Sequence, residues 1–171
     1  MRAVAGSRRF LRFSPSQVQN MGHRREAREI ALQVLYEIDV LQIGADEALE
    51  LFWSNFDAPG DAREFSTKLI SGTACHREEI DRLISDCSDN WSLERMALVD
   101  RNILRMAVYE LLYCSDIPPK VTLNEAIDLG KDYGSENSGS FINGVLDALY
   151  AKMKNDNVHK DSDGNPRRSE G

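Results

Sequence analysis

Apolar side chains return along this chain at three- and four-residue steps, the spacing of one face of an α-helix, and no alternating strand pattern survives. In residues 24–43 the stripe is Ile30, Ala31, Val34, Leu35, Ile38 and Leu41, and Gly44 is the expected stop. A short amphipathic helix is predicted over 46–56, through Ala48, Leu49, Phe52 and Trp53, closed by Pro59-Gly60. Asp61 then opens a longer helix with Phe65, Leu69, Ile80, Leu83 and Ile84 as its stripe. Ser92 reads as the N-cap of a short turn. The helix after it, about 98–115, is apolar on most sides, which places it in the centre of the fold.

Pro118-Pro119 end that helix, because the ring removes a donor and clashes with a continuing turn. Thr122 and Glu125 have capping-box spacing, in which hydroxyl and carboxylate each satisfy a free backbone N–H. Leu123, Ala126 and Ile127 form the inner face that follows, and Gly134 sits where a left-handed C-terminal residue belongs. A polar loop over 135–140 leads to a last helix with Ile142, Val145, Leu146, Leu149 and Met153 on one stripe. Gly144 inside it predicts close helix contact, at a propensity cost of about 1 kcal/mol against Ala. The fold class is therefore all-α, with about seven helices and no repeat.

The two ends lack this pattern. Residues 1–22 read as an unstructured or misassigned extension. A transit peptide, an RNA-contacting arm and an upstream misreading with Met21 as the true start all fit, and the last is favoured because the patterned sequence begins directly after Met21. Residues 155–171 are polar, contain Gly164 and Pro166, and read as a flexible tail.

Charge changes the picture. The formal net charge of −7 speaks against a general nucleic-acid binder. It is unevenly spread, however: residues 1–28 hold seven arginines against one acid, Glu26, a basic arm on an acidic body. Cys75, Cys87 and Cys114 cannot all pair within the chain and have no C-x-x-C spacing, so reduced and mostly buried thiols in a cytoplasmic protein are expected. His23, His76 and His159 are too scattered to build a zinc site with them. No apolar stretch approaches the roughly 18 residues that cross a bilayer.

Little in the sequence promises catalysis. Gly130-Lys131 has no glycine loop before it, and Ser138-Gly139-Ser140 lacks the nucleophile elbow and its strand. Ser71, His76 and Asp81 are spaced by five on one helix, which leaves them on different faces. Acid pairs such as Glu78-Glu79 and Asp46-Glu47 read as hydrated surface. Neither an enzyme, a cofactor nor a metal is expected.

Two segments depart from this background. His23-Arg24-Arg25-Glu26-Ala27-Arg28 puts cations at a helix N-terminus, where they oppose the macrodipole; an anion such as RNA phosphate would offset that cost, and solvated arginines are the bland reading. In 133–143, Asn137, Ser138 and Ser140 offer donors and acceptors beside a helix N-terminus. Tyr133 and Phe141 offer faces for unstacked bases, or sit in the core of a capped turn.

The segments RREAREIALQVLYEIDV, VDRNILRMAVYELLY and DIPPKVTLNEAIDLGKDYGSENSGSFINGVLDALY together resemble the NusB family of bacterial transcription antitermination factors, over roughly 21–153. The resemblance implies two small helical subdomains sharing a core, about 23–87 and 91–154. It implies a non-enzymatic factor that binds boxA-type single-stranded RNA as a heterodimer with NusE, a small-subunit ribosomal protein, and acts on elongating RNA polymerase with other Nus factors in ribosomal RNA operons. By similarity Arg24, Arg25, Arg28, Tyr36, Asn137, Ser138 and Phe141 would meet RNA, and Glu94, Asp100 and Arg105 would face NusE. The basic cluster is thinner than usual, being interrupted by Glu26. Ser140 stands where a lysine often precedes the phenylalanine, and Asn137 where many members carry an acid, so the effects on affinity oppose each other. An accessory module for an RNA methyltransferase and a purely protein-binding scaffold are the alternative readings. Monomer and homodimer are both open.

Overall fold

A computed structural model describes residues 22–88 and 91–162, with side chains as far as Asp156. The expectations for residues 1–21 and 163–171 lie outside the described residues. Seven helices follow in order: α1 His23–Leu41, α2 Ala45–Asn55, α3 Gly60–Cys75, α4 Arg77–Asp86, α5 Leu98–Tyr113, α6 Pro119–Tyr133 and α7 Ser138–Ser162. One 3₁₀ turn, Leu93–Arg95, joins α4 to α5. No strand occurs among the described residues, and the all-α expectation holds.

One apolar core draws on every helix, with Leu32, Phe52, Leu69, Ile84, Leu104, Leu129 and Leu146 among its members. Helix α5 runs through the middle, as its all-round apolarity predicts: every residue from Asn102 to Glu110 is buried, and it packs on α1, α3, α4, α6 and α7. Helices α1, α2 and α3 pack on one another on one side; α6 and α7 pair on the other. Helix α4 touches α3, α5 and α7, so it bridges the two groups.

Two internal charge clusters fix α1 antiparallel to α5. Near the start of α1, the buried Arg28 guanidinium donates to both oxygens of Glu110 on α5, at 2.9 and 2.6 Å, and the Thr122 hydroxyl of α6 donates to the same carboxylate at 2.7 Å. Near its end, Asp39 accepts from Arg101, Asn102 and Arg105 of α5, each at 3.1 Å, and from Arg77 of α4 at 3.2 Å. Burial pushes the Asp39 carboxyl up, but Arg105, Asn102 and Arg101 outweigh it and hold the group below the usual carboxylate range.

Several local expectations are corrected. The helix foreseen from Asp61 onward is two helices, because His76 leaves helical geometry (φ −100°, ψ 17°) between α3 and α4. Gln42, not Gly44, ends α1 in the left-handed region (φ 55°), its amide donating to the Asp39 carbonyl at 2.6 Å. Gly44 instead leads into α2. Helix α6 starts at Pro119, whose missing N–H is harmless in the first turn. Thr122 therefore lies inside the helix and serves Glu110 rather than a cap. Gly134 is extended, not left-handed.

Gly144 makes no close contact. The close approach of α6 and α7 falls at Gly130, where a Cβ would stand 2.6 Å from Ile142 Cδ1. Helix α7 continues to Ser162, through the first part of the expected tail. Of the cysteines only Cys114 is buried; Cys87 is half-buried and Cys75 exposed.

Candidate nucleic-acid interface

The arginines at the tip of α1 have very different surroundings. Arg24 is about half exposed; it donates to Asp116, just before α6, at 3.0 Å, and its guanidinium lies 4.6 Å over the Phe65 ring. Arg25 is ringed by three carboxylates: Glu29 at 3.2 Å, Glu125 at 3.2 Å and Asp132 at 2.8 Å, the last two on α6. Its side chain is 12% exposed, whereas that of Asp132 is 54% exposed. Arg28 is closed off altogether by Glu110, with 4% of its side chain exposed.

Arg28, expected to hold phosphate, has its fork filled bidentately from within. The macrodipole penalty at this tip is offset largely by the protein's own acids. His23 pairs with Asp61 across to α3, both exposed, and that hydrogen bond raises the imidazole pKa.

The tip and the bend between α6 and α7 meet. Besides the Arg25–Asp132 pair, the Tyr133 hydroxyl donates to Glu29 of α1 at 3.0 Å, the same carboxylate oxygen that accepts from Arg25. Burial, reinforced by Glu29, pushes the Tyr133 phenol far above its ordinary pKa, so it remains a neutral donor.

Within the bend Asn137 is exposed, and its carbonyl starts α7 by accepting from the Phe141 N–H at 3.0 Å. Ser138, expected to meet RNA, is 1% exposed, and its hydroxyl accepts from the Ser135 N–H at 2.8 Å. Lys131, which the charge survey passed over, is exposed beside the bend, its stem lying over Gly139. Phe141 is half-buried and meets Trp91 edge-on, ring centroids 6.1 Å apart. Tyr36 is half-buried eleven residues after Arg25, three full turns, so it shares Arg25's side of α1 about 16 Å further along.

Of the three residues assigned to a protein partner, Glu94 alone is exposed. Arg105, expected to face NusE, is buried, and its guanidinium holds both Asp81 oxygens, at 2.7 and 2.9 Å, as well as Asp39. Asp100 is 7% exposed, and its Oδ1 is buried without a hydrogen bond. Sequence reading missed Asp116, Glu125 and Asp132, the acids that hold the tip. The seven-residue spacing of Glu125 and Asp132 marks one stripe of α6, but only the packing shows that the stripe faces Arg25.

The NusB family model matches residues 25–151, nearly the whole of this helical unit. The chain belongs to the NusB family. A NusB transcription antitermination protein from Syntrophus aciditrophicus is 62% identical over 150 residues, covering 88% of this chain and 93% of that relative. One from Desulfatibacillum aliphaticivorans is 49% identical over 133 residues, 78% of this chain and 93% of the relative. Among solved structures, NusB of T. maritima is 39% identical with a TM-score of 0.67, over 74% of this chain and 89% of that one. A structure of antitermination factors NusB and NusE in complex with dsRNA is 34% identical, with a TM-score of 0.69, over 76% of this chain and 97% of that one. The NusB resemblance and the all-α fold it implies are therefore both established.

Proposed function

We propose that this protein is an RNA-binding transcription antitermination factor that pairs with NusE, takes up boxA-type single-stranded RNA and acts on elongating RNA polymerase in ribosomal RNA operons. The observation that carries this is the 62% identity over 93% of the length of a NusB transcription antitermination protein. The NusB relative solved with NusE and dsRNA supports the same reading. The role is one of binding in the cytoplasm, without catalysis.

RNA lies across the tip of α1 and the α6–α7 bend. Arg24 and Lys131 are its exposed cations there. Arg25 joins them when Asp132 swings away, and Asn137, Tyr36 and Phe141 supply polar and ring contacts. Arg28 and Ser138 keep the two elements in place, and Glu94 is the exposed residue on the NusE side.

The test is titration of single-stranded boxA RNA, with and without NusE, at two salt concentrations. Binding that tightens with NusE and weakens with salt supports the reading. Each phosphate neutralised contributes about 0.7 units to the logarithmic salt slope for a single strand. Failure to bind RNA in either state refutes it.

A further inference from the structure

Trp91 is a large ring left 53% exposed. Its backbone N–H donates to the Ser88 carbonyl at 3.0 Å, and its own carbonyl accepts the Ser88 hydroxyl at 3.1 Å. Beside it lies a shallow, open cleft of about 250 Å³, lined by Trp91, Phe141, Ser140, Cys87, Val145 and Gly144. Gly144 lines the cleft on its solvent side: a Cβ built there meets nothing within 4 Å, so the position is open to a larger side chain.

The chemistry fits one kind of guest. The volume lies below the roughly 300–1,000 Å³ of pockets for drug-sized ligands, so the space suits a single ring system. An exposed ring face with a second ring edge-on at 71° accepts a flat π-system. Ser140, exposed in the first turn of α7, sits at the rim, where free amides and the helix dipole favour an anion. A flat apolar group tethered to an anion is a nucleotide. The cleft also continues the α6–α7 bend through Ser140 and Phe141.

We infer that the Trp91–Phe141 cleft is a stacking pocket for one base of the bound single strand, with Trp91 as the platform and the attached phosphate at the Ser140 end of α7. This rests on the RNA-binding reading above and adds a residue and a pocket to it.

The experiment uses the full chain carrying Trp53→Phe, which leaves Trp91 as the sole tryptophan. Trp53 Nε1 has no hydrogen-bond partner, so that change removes none. Titrating single-stranded boxA RNA should quench Trp91 emission with the same midpoint as the anisotropy of labelled RNA. In the otherwise parental chain, Gly144→Leu fills the cleft from a position open to solvent, and Trp91→Ala removes the platform. Each should weaken RNA binding about 5- to 150-fold, the loss of one base stack, while circular dichroism and the melting temperature show the fold retained. In the Trp53→Phe chain, Gly144→Leu should also abolish the quench.

RNA binding at parental affinity by both variants, with unchanged Trp91 emission, overturns the pocket and leaves the RNA-binding reading standing. Quenching by NusE but not by RNA overturns it in favour of a protein side chain in the cleft. Failure of the parent to bind RNA at all overturns both.

Discussion

Replacing Arg28 with alanine separates an arginine that builds the fold from one that meets a ligand. In the native protein its guanidinium donates twice to Glu110, with 4% and 1% of the two side chains exposed, and Thr122 donates to the same carboxylate. Removing it leaves a buried carboxylate with a single hydroxyl donor, a loss that typically costs about 3–5 kcal/mol. At about 2–4 °C per kcal/mol for a chain of this size, the melting midpoint should fall by roughly 6–20 °C.

Arg24→Ala removes a half-exposed ion pair, worth about 1 kcal/mol or less, and should barely move the midpoint. The RNA readout should reverse the order. Below the melting range, Arg28→Ala keeps the parental salt slope, whereas Arg24→Ala lowers it by about 0.7. A double-mutant cycle adds a check: Arg28→Met with Glu110→Leu removes both charges at once and should be far more stable than either single variant. Parental melting of Arg28→Ala together with a lost unit of salt slope would refute the reasoning.

Asp132→Asn should tighten RNA binding about 1.4- to 5-fold at low salt, since the pair it breaks is exposed on one side and worth roughly 0.2–1 kcal/mol; a weaker complex in the same anisotropy titration contradicts the tip's self-pairing. Acid should weaken the fold through Asp39. Its lowered pKa means the contribution is whole above the unfolded value of about 3.9 and is lost as pH falls through the folded one, so denaturation midpoints should drop below about pH 4, with Asp39→Asn flattening that dependence. His23 has the opposite sign: its raised pKa makes the Asp61 pair complete below about pH 6.5 and lost as pH rises through the folded value, so an NMR titration should find the His23 pKa above that of a free imidazole and Asp61→Asn should bring it down. Gly72→Ala should lower the melting midpoint measurably, because a Cβ there falls 2.0 Å from the buried Tyr109 ring, and either the ring or α3 must shift.

The helices were legible in the sequence because each buries a stripe that repeats at helical spacing, and α5 could be placed at the centre because it has no polar side to expose. Glycines misled for a physical reason. One-dimensional pattern shows that a side chain is absent but not what fills the space, so Gly144 read as a contact and is an opening, while the close approaches fall at Gly72 and Gly130. The arginine arm was found, but its division of labour was not. Whether Arg24, Arg25 and Arg28 face water or acids depends on Asp116, Asp132 and Glu110, which lie 92, 107 and 82 residues away in the chain. The burial of Arg105 and Asp100 was not legible either: Arg105 is pinned by Asp81 and Asp39, which lie 24 and 66 residues away in the chain.

The central claim is that the α1 tip and the α6–α7 bend form one RNA-facing surface. Photo-crosslinking of boxA RNA carrying 4-thiouridine to the complex with NusE, mapped by mass spectrometry, reads this directly. Crosslinks should fall in peptides holding residues 22–25 and 133–141. Crosslinks confined to α2 or the outer face of α3, with none at the bend, would contradict the account.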